Sequence, residues 1–415
     1  MKYLNKIPFL LILLLFGCSV GYELSQQNLS GTYDPQLRFT QPEFLIAHTN
    51  DSITNVYLHV NLSEFLYTRE NENGKYIARI EISYSLYESY ESKIILDSAA
   101  LFYTDSIEYG LNSTLSEVLF VKAKAPGDYI LKVSILDIHR GKELSYYLPI
   151  YKKSMIGSQS FMLFDKDSSL LFRNYISPNE NVSLKYLNIS QEKLFVHYYK
   201  RDFPLARPPF VLDKEQAFNY KADSTFSIPV FNGNSHQFNL VKEGFYFFQS
   251  DTNSREGFTI YRYYDDFPVI SSAEHVISPL RYISTQREYD ILTSSSNKKL
   301  TADSFWLVNT GHPNRARQLI SRYYNRVQEA NNMFSSFLEG WKTDRGMVYI
   351  VLGPPNYVYR ATNTENWVYG EAGNPGSLRF SFIRVNNPFT NNDYNLYRNP
   401  MFKETWYNSV ENWRR

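Results

Sequence analysis

Side chains that could do chemistry concentrate in the last third of this chain, where charged groups alternate with aromatic rings. They are Trp341, Lys342, Asp344, Arg345, Arg360, Trp367 and Glu371. Aromatic faces beside charged groups suit recognition of a sugar or a peptide, and arginine suits a carboxylate. Asp344 with Glu365 or Glu371 could instead form the two-carboxylate pair of a glycoside hydrolase. The residue types therefore predict a ligand groove, with a hydrolase as a narrower alternative.

A structural interpretation of residues 340–346, Gly-Trp-Lys-Thr-Asp-Arg-Gly, competes with the groove and is the one we favour. Gly340 fits the position just past a helix end. Thr343 and its aspartate neighbour can accept hydrogen bonds from backbone N–H groups, and Arg345 can pair with a nearby carboxylate. Gly346 permits a close backbone approach or a positive φ. The segment then acts as a corner between a helix and a strand.

Other enzyme classes find little support in the sequence. The seven histidines are scattered, without a pair at metal-ligand spacing, and Cys18 is the only cysteine. Residues 353–355, Gly-Pro-Pro, are not followed by the Gly-Lys-Ser/Thr of a phosphate loop. The net charge of +1 argues against a nucleic-acid partner. We therefore expect no metal, no cofactor and no catalytic residue.

The N-terminus is typical of a bacterial lipoprotein. Lys2 and Lys6 precede an apolar run at 9–16 that is too short to span a bilayer. Leu15-Phe16-Gly17-Cys18 then resembles a lipobox. We predict a signal peptide at 1–17 and a lipid on Cys18, followed by a flexible tether to residue 40 because Ser, Gln, Asn and Gly dominate there.

Period-two alternation dominates the middle of the chain. Residues 80–86 alternate apolar and polar side chains, and 129–135 do the same after a Pro-Gly turn. We predict two tandem Ig-like β-sandwiches at 41–152 and 153–266, then a linker at 267–279.

Helical periodicity first appears near residue 280, and all five tryptophans lie beyond it. Apolar residues at three- and four-residue steps predict a helix over 314–338, and Thr285 with Glu288 predicts a capping box. Strands are expected at 347–352, 356–361, 366–369 and 378–385, with a short helix at 402–413. The fold class is thus mostly β, with an α+β C-terminal domain of helices and an antiparallel sheet at 280–415.

The same region carries a family resemblance. Its motifs, in order, are Pro-Leu-Arg-Tyr-Ile at 279–283, Phe-Trp at 305–306, Arg-Ala-Arg at 315–317, the segment 340–346, Gly-Pro-Pro at 353–355, Trp-Val-Tyr-Gly at 367–370 and Asn-Pro-Phe at 387–389. It resembles the GWxTD domain family, found in envelope lipoproteins of Bacteroidota-type bacteria. The resemblance implies an outer-membrane lipoprotein. A single acidic residue after Cys18, Glu23, favours the periplasmic face and leaves the cell surface open.

The family's activity is not established, so the resemblance assigns no catalytic role. We expect a non-enzymatic binding or scaffold component of the cell envelope, in which the β-sandwiches hold the GWxTD domain away from the membrane and that domain engages a protein partner. The alternative is a carbohydrate- or peptidoglycan-binding protein, or a hydrolase, that uses the Asp344/Arg345 region.

Overall fold

The computed structural model describes residues 23–69, 74–107, 113–212 and 218–414. The signal peptide and Cys18 lie outside the described residues. As predicted, the chain is mostly β, with a C-terminal part that combines helices with an antiparallel sheet. Within the described ranges, we find no helix with the length and apolar character needed to cross a membrane.

The first β region contains two sheets. Its strands are β1 (Glu43–His48), β2 (Thr54–Asn61), β3 (Thr68–Arg69), β4 (Tyr76–Tyr87), β5 (Ile95–Ile107), β6 (Thr114–Val121), β7 (Asp128–Asp137) and β8 (Lys142–Tyr151). One sheet has the order β1-β2-β6, and the other has β3-β4-β7-β8 with β5 also paired to β4. Alternate residues of β4, such as Ile80 and Ile82, are buried against Val56 and Leu58 of β2, in one core shared by both sheets.

The second β region is a single curled sheet of seven strands. They are β9 (Phe161–Phe164), β10 (Ser183–Tyr186), β11 (Lys193–Tyr199), β12 (Ser224–Phe231), β13 (Asn234–Ser235), β14 (Gly244–Gln249) and β15 (Phe258–Arg262). The order is β15-β14-β11-β12-β13-β10-β9. Phe161 on β9 stacks on Phe258 at the start of β15, 5.7 Å between ring centroids. Because β9 and β15 are the two edge strands of this sheet, their contact closes the sheet around its own core.

The C-terminal region packs six helices around a four-stranded sheet. The helices are α1 (Ala273–Ile277), α2 (Gln286–Ser294), α3 (Lys298–Thr310), α4 (Pro313–Phe334), α5 (Asp344–Leu352) and α6 (Lys403–Glu411). The strands, in sheet order, are β16 (Tyr357–Arg360), β17 (Thr364–Tyr369), β18 (Leu378–Arg384) and β19 (Tyr394–Leu396). The capping box at Thr285 is confirmed, and α4 is the predicted long helix, although it ends before residue 338.

The strand predicted at 347–352 is wrong, because these residues belong to helix α5. Thr343 caps that helix by accepting a hydrogen bond from the backbone N–H of Gly346 at 3.0 Å. Met347 to Val351 are all buried, at 0–3% exposure. A helix buried on every side shows no 3.6-residue period, so a short apolar run of this kind cannot be distinguished from a buried strand by pattern alone.

The described part of the N-terminal segment, 23–40, differs from the flexible tether expected. Leu24, Leu29 and Tyr33 are buried in the core of the C-terminal region. The N–H of Leu29 donates to the carbonyl of Val358 on β16 at 2.8 Å. Polar composition suggested a tether, but three apolar side chains spaced four or five residues apart suffice to dock it.

An aromatic cluster joins the second β region to the C-terminal region. It contains Tyr199, Phe245, Phe247, Tyr261, Tyr263, Tyr264, Phe267 and Phe389. The hydroxyl of Tyr261 donates to the carbonyl of Phe389 at 2.6 Å. Residues 267–279, predicted as a linker, contribute buried Phe267 to this cluster and then form α1.

Candidate functional site

The corner segment 340–346 connects α4 to α5 and depends on two glycines. A Cβ on Gly340 would lie 1.9 Å from the carbonyl oxygen of Ala330, and a Cβ on Gly346 would lie 1.9 Å from that of Gly340. Ala330 lies inside α4, and the Gly340 carbonyl is held within the turn, so only glycine fits at both positions. The hydroxyl of Thr343 donates to the Gly340 carbonyl at 2.7 Å and closes the turn.

Trp341 and Lys342 complete the corner. Trp341 is 5% exposed. Its backbone N–H donates to Oδ1 of Asn331 at 3.2 Å, and its backbone carbonyl accepts from the Tyr282 hydroxyl at 2.9 Å. The ammonium of Lys342 lies 2.7 Å from a carboxylate oxygen of Glu339. Both side chains thus serve local packing rather than an open surface.

Asp344 is engaged within the fold. The guanidinium of Arg398 donates to both of its carboxylate oxygens, one bond measuring 3.0 Å, and the N–H of Leu396 donates to Oδ2 at 2.7 Å. Asp344 lies in the first turn of α5, where a negative charge complements the helix dipole. It therefore ties the start of α5 to β19.

Glu365 is the centre of a buried charge cluster. Its carboxylate is fully buried and accepts from Arg360 Nε at 2.9 Å, Trp367 Nε1 at 2.7 Å and the Tyr33 hydroxyl at 2.9 Å. The guanidinium of Arg345 lies 3.6 Å from the same carboxylate. We call these five residues the Glu365 cluster.

Opposing effects act on the protonation of Glu365. Burial would raise the pKa of its carboxyl, but Arg360, Arg345 and the hydrogen bonds from Trp367 and Tyr33 hold that pKa below the usual value. A general acid of a glycosidase needs a raised pKa so that it keeps a proton near neutral pH. Glu365 is thus suited to a structural charge pair and not to acid catalysis.

Arg345 is packed as well as paired. Its guanidinium lies 4.1 Å from the ring centroid of Tyr394 and donates to the Asn392 carbonyl at 3.0 Å. The Asn392 side chain in turn donates to the carbonyls of Met333 and Ser335 at the end of α4. This chain of contacts fixes α4, α5 and the loop before β19 together.

One wall of a large cleft is formed by the outer side of this cluster. The cleft has a volume of about 940 Å³ and is lined by residues of both β regions and of the C-terminal region, including Arg345 and Arg360. Its basic lining residues are Lys153, Arg173, Arg255, Arg345, Arg360 and Arg384, and its acidic ones are Glu88, Asp128 and Glu256. Aromatic side chains such as Tyr90, Tyr151 and Tyr394 lie between them.

Arg384 differs from the other arginines of this wall in its partners. It donates to the Tyr151 hydroxyl at 2.7 Å and to Oδ1 of Asn391 at 3.1 Å, and both partners are neutral. Arg384 pairs across strands with Tyr394, whose ring contacts Arg345. Its positive charge therefore lies beside the Glu365 cluster, but these two hydrogen bonds do not bring a further carboxylate to balance that charge.

The structure brings together some of the residues singled out from the sequence and separates others. Arg345, Arg360 and Trp367 meet around Glu365, and the two arginines line the cleft. Trp341, Lys342, Thr343, Asp344 and Gly346 build the corner. Glu371 lies in an exposed loop after β17.

Sequence reasoning missed three residues that matter here: Tyr33, Arg384 and Arg398. Tyr33 stands in a segment whose composition suggested a tether, although its spacing from Leu24 and Leu29 was a usable signal. Arg384 and Arg398 carry no local pattern, since their partners are distant in the chain. In the described ranges, no group of three or more His, Cys, Asp or Glu side chains could hold a metal ion.

Comparison with known proteins supports the domain. Residues 244–415 match the GWxTD domain family, so the chain carries a GWxTD domain over that range. The match begins at β14, well before residue 280. It therefore includes the last two strands of the second β region and all of the aromatic cluster except Tyr199. No curated protein matches the chain.

Among solved structures, one similar chain is the C-terminal domain of the Streptococcus pyogenes antigen I/II-family protein AspA. It has 10% sequence identity and a TM-score of 0.17 over 54% of this chain and 98% of that chain. Similarity at this level carries no argument about fold or function.

Proposed function

We propose that this protein is an outer-membrane lipoprotein, anchored through Cys18, that acts as a non-enzymatic binding or scaffold component of the envelope and engages a protein partner through its GWxTD domain. The periplasmic face is the proposed location. The first β region, whose two sheets share one core, is proposed to be an Ig-like β-sandwich. The second, a single curled sheet, departs from the expected sandwich.

The observation that carries this proposal is the docking of the N-terminal segment on the GWxTD domain. Asn28 accepts from the N–H of Val358 at 2.9 Å and donates to the carbonyl of Asn356 at 3.3 Å. The N–H of Leu29 binds the Val358 carbonyl, and Leu24 is fully buried. The N–H of Ser25 also donates to the carbonyl of Tyr90 in the first β region at 2.8 Å. The N-terminal segment is therefore fixed between the GWxTD domain and the first β region rather than free.

Chain length then limits where a lipid on Cys18 would place the domain. Cys18 and Leu24 are separated by six residue steps, which span about 20 Å at most. A lipid on Cys18 would therefore hold the GWxTD domain, together with the adjoining part of the first β region, near the membrane surface. This changes the expected arrangement, in which the β regions separate that domain from the membrane.

A binding role fits the chemistry better than hydrolysis. Asp344 is held by Arg398, and Glu365 is held ionised by Arg345 and Arg360. A pair of carboxylates for glycoside hydrolysis needs one that retains its proton. The cleft, in contrast, combines cationic and aromatic groups suited to recognition.

The anchor is tested by metabolic labelling with an alkyne fatty acid and by fractionation. We expect the wild-type chain to be labelled and to remain in the outer membrane, and Cys18→Ser to lose both properties. A photoactivatable lipid should crosslink to residues 244–414 in preference to strands 161–235 of the second β region. The reverse preference would contradict membrane proximity.

The partner is tested by crosslinking in intact cells, followed by purification of the tagged chain. A protein recovered in fixed ratio to the chain supports the scaffold role. Recovery of glycan fragments without a protein would favour the carbohydrate-binding alternative, to which the arginines and aromatic rings of the cleft are also suited.

A further inference from the structure

Strand β1 presents an unpaired edge to the cleft. Among the residues that the structure describes, it is the outermost strand of its sheet and pairs with β2 alone. Three successive residues, Phe44, Leu45 and Ile46, line the cleft. Successive side chains of a strand point to opposite faces of the sheet. Three consecutive residues can therefore line one cavity only if the edge of the strand, rather than one face, borders the cavity.

The backbone groups of this edge are paired on the β2 side, and the short turn Ser158–Ser160 packs near the strand. In the part of the chain that the structure describes, residues 43–47 make no backbone hydrogen bond beyond those to β2. Such an edge is a template for one more strand, and extended peptides commonly bind proteins by adding to it.

A second wall of the cleft carries excess positive charge on one face of the C-terminal sheet. Arg360 pairs across strands with Glu365, and Glu365 pairs with Phe382. Arg384 is two residues beyond Phe382, so its side chain leaves the sheet on the same face. Arg345 of α5 reaches the same place through its contacts with Glu365 and Tyr394.

The charges on this wall do not balance. Arg345 and Arg360 share the single carboxylate of Glu365, and Arg384 contacts neutral groups. Elsewhere in the cleft Lys153 pairs with Asp128 at 2.9 Å and Arg173 pairs with Glu180 at 2.5 Å. The arginine wall therefore suits a ligand carboxylate, which arginine binds with two parallel hydrogen bonds.

We propose that the cleft binds an extended peptide segment that carries a carboxylate, with its backbone added to the edge of β1 and its carboxylate held by Arg384 beside the Glu365 cluster. This deepens the proposed binding function, on which it rests, by naming the chemical class of the partner. A carboxylated glycan would satisfy the arginines but would leave the strand edge unused, and this favours the peptide.

The test is selection from a random seven-residue peptide library on the full-length protein in detergent. We expect acidic residues to be enriched among the peptides bound by wild type. Arg384→Gln should weaken a selected peptide about ten-fold to a hundred-fold, the range for a lost charge-assisted hydrogen bond. The matched control is Arg317→Gln, an exposed arginine on α4 outside the cleft, and it should leave affinity unchanged.

Two further probes examine the peptide itself. A selected peptide with alternate backbone nitrogens methylated should bind at least ten-fold more weakly, since it cannot pair with a strand edge. Trigalacturonic acid, a carboxylated sugar, should compete poorly. Absence of enriched peptides, enrichment without acidic residues, equal binding by Arg384→Gln, or tight binding of the sugar alone would each overturn the proposal.

The outcome also separates this inference from the broader function. If Arg384→Gln still recovers the same envelope partner after crosslinking in cells, the cleft inference fails and the scaffold role stands. If wild type recovers no protein partner at all, the proposed function itself fails.

Discussion

The Glu365 cluster and Arg384 lie side by side on one sheet face, yet they use arginine in opposite ways. In the cluster, two guanidiniums are closed in around a fully buried carboxylate. Arg384 is half-buried and holds a tyrosine hydroxyl and an asparagine amide. A buried charge that loses its partner costs several kcal/mol, whereas a partly exposed one stays solvated. Residue type alone thus does not separate a structural arginine from one that can bind a ligand; the charge balance around it does.

The largest expected effect is at the corner beside the cluster. Gly346→Ala places a Cβ 1.9 Å from the Gly340 carbonyl, so the link between α4 and α5 must distort. We expect a loss of about 5 kcal/mol or more in the free energy of unfolding. Denaturant unfolding followed by tryptophan fluorescence reports on the C-terminal region, because all five tryptophans lie there.

The matched glycine control for this variant is Gly31→Ala. Its new Cβ would meet only Leu144 Cδ2, at 3.9 Å, so stability should change by less than about 1 kcal/mol. Equal stability of the two variants would show that the corner is not tightly packed.

The next effect is the loss of the shared carboxylate. Glu365→Gln leaves Arg345 and Arg360 close together without a counter-charge, and we expect a cost of about 3 to 5 kcal/mol. Glu371→Gln, in an exposed loop, should cost less than about 0.5 kcal/mol. Because the folded-state pKa of Glu365 lies below 4.5, its contribution should be complete above that pH and fade as pH falls below it.

Lys152 provides a third case of a buried charge, and its hydrogen bonds go to neutral groups. Lys152 is fully buried, and its ammonium donates to the Ala123 carbonyl at 2.7 Å and to Thr54 Oγ1 at 3.2 Å. Burial lowers the pKa of Lys152 from 10.5 to about 8. At this site the unfolded chain therefore binds more protons between these pH values, and the contribution of Lys152 to stability should rise with pH across this window by about 3 kcal/mol.

Comparison with Lys152→Met isolates this effect, since that variant lacks the titrating group and should not show the rise. Lys153→Met, at a side chain that is 74% exposed, should keep it. A pH dependence that is identical in wild type and Lys152→Met would contradict the buried charge.

The smallest effect is expected at Arg384 itself. Arg384→Gln removes a half-exposed charge with neutral partners, so the free energy of unfolding should change by less than about 0.5 kcal/mol. A loss comparable to that of Glu365→Gln, measured by the same denaturant unfolding, would show that Arg384 is structural and would remove the contrast between the two regions.

Local sequence patterns correctly predicted the secondary-structure elements that depend on residues close together in the chain. The capping box at Thr285, the amphipathic α4 and the alternating β4 and β7 all follow from spacing within a few residues. Helix α5 was missed because burial on every side removes its period. Most of the site could not be predicted, since Tyr33 meets Glu365 across 332 positions of sequence and Arg384 meets Tyr151 across 233. Such contacts are set by how the three regions pack together.

The most direct test of the account is the stability of Arg345→Ala, measured by denaturant unfolding together with peptide binding. Arg345 is 2% exposed and shares Glu365 with Arg360, so its removal should lower the free energy of unfolding by about 3 kcal/mol. Such a loss would support the structural role of residues 340–346. Unchanged stability together with abolished ligand binding would contradict it and would make this segment the binding site.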